Sequence, residues 1–187
     1  MCPRLSDKRE RLLDAAKTLI HQHGFKQTTL ADIAQESGVP LGNVYYYFKT
    51  KDDIAIAVID EHVGYFRAAT RELEQAEPDP RKRLMRYVKK VMSCPDEVAS
   101  HGCPVGSLCQ ELAKEATPLA RKADVVIKAQ VDWAAEQFKA LGKRDATDLG
   151  LELIAKLQGI SLLANAMKDC EMVGRQVKRL EGWLREV

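Results

Sequence analysis

Apolar residues recur at three- and four-residue spacing in nearly every segment of this chain, and no segment alternates β-branched with polar residues at period two. A half-buried sheet needs that missing alternation, so the chain reads as all-α. Leu12, Ala15, Ala16, Leu19 and Ile20 fall on one stripe of a first helix, which Ser6 or Asp7 can cap and Gly24 stops. Thr29-Leu30-Ala31-Asp32 has the spacing of a capping box and opens a short second helix with Gly38 as its exit. Pro40 opens a third short helix through Tyr47. A long helix is expected from about residue 52 to residue 75, and Pro78 and Pro80 separate it from a helix carrying Leu84, Val88, Val91 and Met92. Residues 94–104, with Cys94-Pro95 and Gly102-Cys103-Pro104, read as a loop. Helices are then expected over 105–115, 118–140, 145–168 and 170–185, for about nine helices in all. The expected organisation is a three-helix domain over 1–51 and a larger helical bundle over 52–187.

At 187 residues the chain can bury enough surface to need no disulfide staples. Its five cysteines are odd in number and form no CxxC, which favours thiols over a disulfide framework or a zinc ribbon. No apolar run approaches membrane-spanning length, and the first residues turn charged at once, so a cytoplasmic protein without membrane contact is expected. The net charge of +2 excludes little, but residues 1–51 carry eight Lys and Arg against five Asp and Glu. A basic first domain on a near-neutral body permits contact with nucleic acid. The usual phosphate-cradling glycine loop, the nucleophile elbow and HExxH are all missing. No enzyme activity, cofactor or metal site is therefore expected.

Two short helices around Gly38-Val39-Pro40 point to a helix-turn-helix, whose second helix enters the major groove with its N-terminal residues at the base edges. That helix would be Leu41-Gly42-Asn43-Val44-Tyr45-Tyr46-Tyr47. Successive helical residues lie about 100° apart, so three consecutive tyrosines cannot all face one core. Phenolic hydroxyls can donate to phosphate, rings can meet thymine methyls, and Asn43 can pair with adenine. Val44 and Phe48 read as core, and Tyr45 and Tyr47 can bury much of their rings while exposing the hydroxyl.

These residues resemble the DNA-binding domain of the TetR family of transcriptional regulators. The matching stretches are Leu13-Asp14-Ala15-Ala16, His23-Gly24-Phe25, residues 28–34, Gly38-Val39 and residues 45–54. The resemblance implies an all-α homodimer with two reading heads, usually a repressor released from its operator by a small-molecule effector. By position it implies base readout by Leu41, Gly42, Asn43 and Tyr45. It implies phosphate contact by Thr28, Thr29, Tyr46, Tyr47 and Lys51, although Thr29 can equally be a helix cap. Leu41 stands where members often hold a polar residue.

The resemblance also implies dimerisation through the helices near 145–168 and 170–185. It implies double-stranded DNA with a pseudo-palindromic operator as partner. Gly159, Ser161, Ala164 and Ala166 would allow close helix approach. A ligand pocket is expected in the body, with Tyr65, Phe66, Met92, Cys109, Trp133, Gln158 and Asn165 as candidate liners, each equally able to be ordinary core. Gly102-Cys103-Pro104-Val105-Gly106, followed by Glu111-Leu112, resembles the start of the sixth helix in a subset of the family. Some members of that subset sense electrophiles or oxidants through cysteine, which makes Cys103 a candidate redox residue.

Overall fold

The computed structural model describes residues 5–114 and 118–187. Among the described residues it holds ten α-helices and no strand. They are α1 (Leu5–His23), α2 (Leu30–Ser37), α3 (Leu41–Tyr47), α4 (Lys51–Ala76) and α5 (Pro80–Val91). There follow α6 (Pro95–His101), α7 (Pro104–Ala113), α8 (Pro118–Ala140), α9 (Ala146–Met167) and α10 (Cys170–Glu186). The all-α reading holds. No described helix is long and apolar enough to cross a membrane.

Two expectations about helix ends are corrected. Helix α1 starts at Leu5, so Ser6 and Asp7 lie inside its first turn and do not cap it. Residues 95–101 form helix α6 where a loop was expected. Pro95 occupies its first turn, where a missing N–H costs nothing, and Asp96 and Glu97 face the positive end of the helix dipole. The segment expected to open a sixth helix therefore opens α7.

The chain folds into two compact units. One takes Met1–His62 and Pro104–Val125, the other Val63–Cys103 and Val126–Val187. In the first unit Leu12, Ala16, Ile33, Val39, Val44, Ile54 and Val58 are buried. Gly24 ends α1 at φ +85° and Gly38 ends α2 at φ +63°, conformations that cost an L side chain about 1–2 kcal/mol. The amide of Gly38 donates back to the carbonyls of Ala34 and Gln35, closing orphan acceptors at the helix end.

In the second unit Leu84, Val88, Phe138, Leu153, Val173 and Leu184 centre the core. Phe66, Tyr87 and Trp133 meet one another with ring centroids 5.0–6.2 Å apart. Trp133 Nε1 donates to Glu74 at 2.8 Å, which satisfies the buried indole. Burial pushes the Tyr87 hydroxyl well above its ordinary pKa.

Helix α9 is apolar on two sides. Leu149, Leu153, Leu157, Ile160 and Ala164 face the core of their own unit, as do Val173, Leu180 and Leu184 of α10. Leu151, Leu162, Leu163 and Met167 project into solvent instead. Two of the small residues expected at a dimer face are core residues. Ala164 is fully buried, and buried Ser161 donates to the Leu157 carbonyl at 3.1 Å. Gly159 and Ala166 lie towards the open side.

Candidate nucleic-acid interface

The head is built on a short-range device. Thr29 caps α2, its hydroxyl accepting from the Asp32 amide at 3.1 Å. Asp32 returns the bond, accepting from the Thr29 amide at 2.9 Å and the Thr29 hydroxyl at 2.7 Å. These Thr29 donors hold the Asp32 carboxyl below the usual carboxylate range. The same device recurs at α4, and the sequence reading missed it. The Asp53 amide donates to Thr50 at 3.1 Å, while the Lys49 and Thr50 amides donate to the Asp53 carboxylate at 3.0 and 2.9 Å. The repeated Thr-x-x-Asp spacing was the signal that could have found it.

Helix α3 lies between these two capped helices and has only Pro40 at its own N-cap, with no side-chain cap. Val44 is its one buried residue. Leu41, Gly42, Asn43, Tyr45 and Tyr46 are exposed and Tyr47 is half-buried. Tyr46 is 69% exposed and Tyr45 47%, and the Tyr46 and Tyr47 rings meet edge to face at 5.1 Å. One short surface thus carries three phenols, an amide, an aliphatic side chain and a glycine with nothing near its Cβ position.

Two residues expected at phosphates are otherwise engaged. Thr28 is only 2% exposed, and its hydroxyl donates to the Gly24 carbonyl at 2.8 Å. It holds the corner between α1 and α2 and offers no surface to DNA. The Lys51 ammonium donates to the carbonyls of Phe25 at 2.9 Å and Lys26 at 3.1 Å. It also stands 4.4 Å from the centroid of the Phe25 ring. Two further cations have structural work. Arg11 donates to the Ser37 carbonyl, and the Arg9 guanidinium lies 5.5 Å from the Phe48 ring centroid.

The residues expected to line a ligand pocket do not form one set. Phe66, Met92 and Trp133 are buried in the second unit, and Gln158 and Asn165 are half-buried there. Tyr65 is 65% exposed with the Lys90 ammonium 5.5 Å from its ring centroid, so it leaves the set of core liners. Cys109 belongs to the first unit, where its thiol donates to the Ala123 carbonyl at 2.9 Å. Asn165 donates to the carbonyls of Ala99 at 3.1 Å and Ser100 at 2.8 Å, which satisfies the end of α6. Gln158 donates to the Cys103 sulfur at 3.5 Å. No group of three or more His, Cys, Asp or Glu suited to a metal occurs among the described residues.

Residues 12–58, from α1 into α4, match the family described as bacterial regulatory proteins, tetR family. Residues 12–58 are a tetR-type DNA-binding domain. Similarity to TetR-type regulators extends along the rest of the chain. The HTH-type transcriptional regulator LmrA of Bacillus subtilis is 29% identical over 172 residues, which cover 87% of this chain and 89% of LmrA. A TetR-family regulator from Streptomyces coelicolor, 23% identical, shares the fold with a TM-score of 0.83 over 97% of this chain and 96% of its own. The reduced form of Escherichia coli NemR, 20% identical, gives a TM-score of 0.80 over 94% of this chain and 96% of its own. These relatives are named as transcriptional regulators. In this chain the match to the family model covers the helix-turn-helix head, α2 and α3 with their flanking helices.

Proposed function

We propose that the protein is a cytoplasmic homodimeric repressor that reads a pseudo-palindromic operator and releases it when a small molecule binds. The observation that carries the reading is the exposed face of α3. Leu41, Gly42, Asn43 and Tyr45 meet base edges in the major groove. Tyr46 and Tyr47 meet phosphates, Thr29 serves as the cap of α2, and Lys51 contributes positive charge from behind the corner it holds. Residues 1–51 serve as the DNA-binding part, and residues 52–187 serve ligand binding and dimerisation. Two heads held about 34–36 Å apart by a dimer would read both half-sites.

The dimer forms through α9 and α10. Leu151, Leu162, Leu163 and Met167 leave an aliphatic face on α9 that a second copy would cover. Beside it runs a groove of about 400 Å³ lined in part by Lys156, Gly159, Leu163, Arg179 and Trp183. The effector shifts the protein only by its differential affinity for the bound and released states.

The test is fluorescence anisotropy of the reduced protein against duplexes it selects from a random library, with scrambled duplexes and a salt series beside them. Sequence-selective binding that weakens steeply with salt is expected. Equal, weak binding to selected and scrambled duplexes would sink the reading.

A second reading concerns the signal. Cys103 immediately precedes α7, and the Gln158 amide donates to its sulfur. An oxidant or electrophile at Cys103 would then release the operator. Loss of operator binding on treatment with hypochlorite or N-ethylmaleimide, prevented by Cys103→Ser, supports this. An unaltered response in that variant refutes it.

A further inference from the structure

Phe25 and Lys26 form the corner where α1 hands over to α2. All four of their backbone polar groups are held by side chains from two other helices. Glu111 of α7 accepts from the Phe25 amide at 2.7 Å and the Lys26 amide at 2.6 Å, one carboxylate oxygen to each. From α4, the Lys51 ammonium takes both carbonyls. Backbone groups at a corner need partners, and here the partners lie 85 or 86 residues away on one side and 25 or 26 on the other. Gly24 completes the fit, because a Cβ there would stand 3.1 Å from a Glu111 oxygen.

Helix propensity does not explain Glu111. It sits in the last turn of α7, where the helix dipole disfavours a carboxylate. Its two charge-assisted bonds supply the reason for its presence, since such bonds are about twice as strong as neutral ones. The corner itself sets where α2 begins and, through the Gly38 turn, where α3 lies. Lys51 is the first residue of α4, three residues beyond Phe48. One small node therefore ties the end of α1, the start of α4 and the end of α7 to the pair of helices that reads DNA.

We propose that Glu111 is a positioning residue for DNA recognition: by clamping the Phe25 and Lys26 amides it makes the placement of the reading helix depend on the placement of α7. Its DNA arm rests on the operator-binding reading above.

The experiment uses the full-length protein, with Glu111→Gln and Glu111→Ala beside the exposed control Glu72→Gln. Amide hydrogen exchange is followed residue by residue, and anisotropy is read on the duplex that the wild-type protein selects. Glu111→Ala should speed exchange at Phe25 and Lys26 and weaken operator binding, each by about tenfold, with the protection of α9 and α10 unchanged. Glu111→Gln keeps one acceptor oxygen, so it should fall between and serves as the test if the alanine variant does not fold. Unchanged exchange at the two amides overturns the clamp. Faster exchange with wild-type operator affinity overturns the positioning role, and so does protection lost throughout the chain in Glu111→Gln. If the wild-type protein selects no duplex, the operator reading fails on its own, and the exchange arm still decides whether Glu111 holds the corner.

Discussion

Helices α3 and α9 both leave large apolar side chains in solvent, and they do so in different company. On α3 the exposed aromatic residues are phenols, and exposed Gly42 and Asn43 share the same short helix. Every apolar surface there has a hydrogen-bonding group within a residue or two. On α9 the exposed Leu151, Leu162, Leu163 and Met167 are apolar, and the polar company beside them is a single Lys156–Glu152 ion pair. The first kind of surface suits a partner that presents oxygens, nitrogens and methyl groups together, as the major groove does. The second suits a partner that presents only more of the same, such as a second copy of the chain. In the proposed reading both exposed faces bind, and their polar company separates the two partners.

The sharpest break in that comparison is at α9. Replacing Leu162 and Leu163 together by Glu should separate the dimer and weaken operator binding by at least about a hundredfold, because each substitution occurs twice at a two-fold interface. Sedimentation velocity with anisotropy checks this, and a monomer with intact operator affinity would contradict it. The α3 face should answer differently. Asn43→Ala or Tyr45→Ala should leave the dimer whole and reduce the preference for the selected duplex over single-base variants by about ten- to a hundredfold. Equal losses on selected and scrambled duplexes would remove these residues from base readout.

Smaller effects refine the same contrast. Gly24→Ala should destabilise the protein by about 1–2 kcal/mol, since the left-handed backbone disfavours a Cβ. Chemical denaturation measures it, and an unchanged midpoint would show that the corner relaxes freely. Tyr46→Phe removes one exposed hydroxyl and should weaken binding about threefold on every duplex alike. The least effect concerns acid. Asp32 has a folded-state pKa below its unfolded one, so its contribution to stability is present at neutral pH and is lost as pH falls through and below the usual carboxylate range. Thr29→Val removes the Asp32 amide's cap acceptor and the hydroxyl donor to the carboxylate. The Asp32 titration followed by NMR should then move back up towards the ordinary value.

Much of this was legible in the sequence because its causes are local. A capping box, a glycine exit and a three-four spacing each involve residues within one or two turns, and they gave α2, α3, α4 and α8 to α10 with small errors at the ends. What was not legible depends on distance or on facing. Over residues 95–101 the prolines look like breakers in sequence, although Pro95 followed by two acids is a helix start. Thr28 looks the same in sequence whether its hydroxyl meets a phosphate or the Gly24 carbonyl. Glu111 and Phe25 are 86 residues apart, and nothing local pairs them. On α9 both faces are apolar, so periodicity could not say which stripe is the core, and two of the four small residues expected at the dimer face are buried within the unit.

The seven residues of α3 are too few to hold a helix in water unaided, and the helix has no side-chain cap of its own. Its place is lent by its capped neighbours, by Val44 and by half-buried Tyr47. The consequence is evolutionary: the five exposed positions can drift with little effect on what keeps it in register. A regulator built this way can acquire a new operator by substitutions that the fold scarcely registers, so vocabulary and architecture are free to change at different rates.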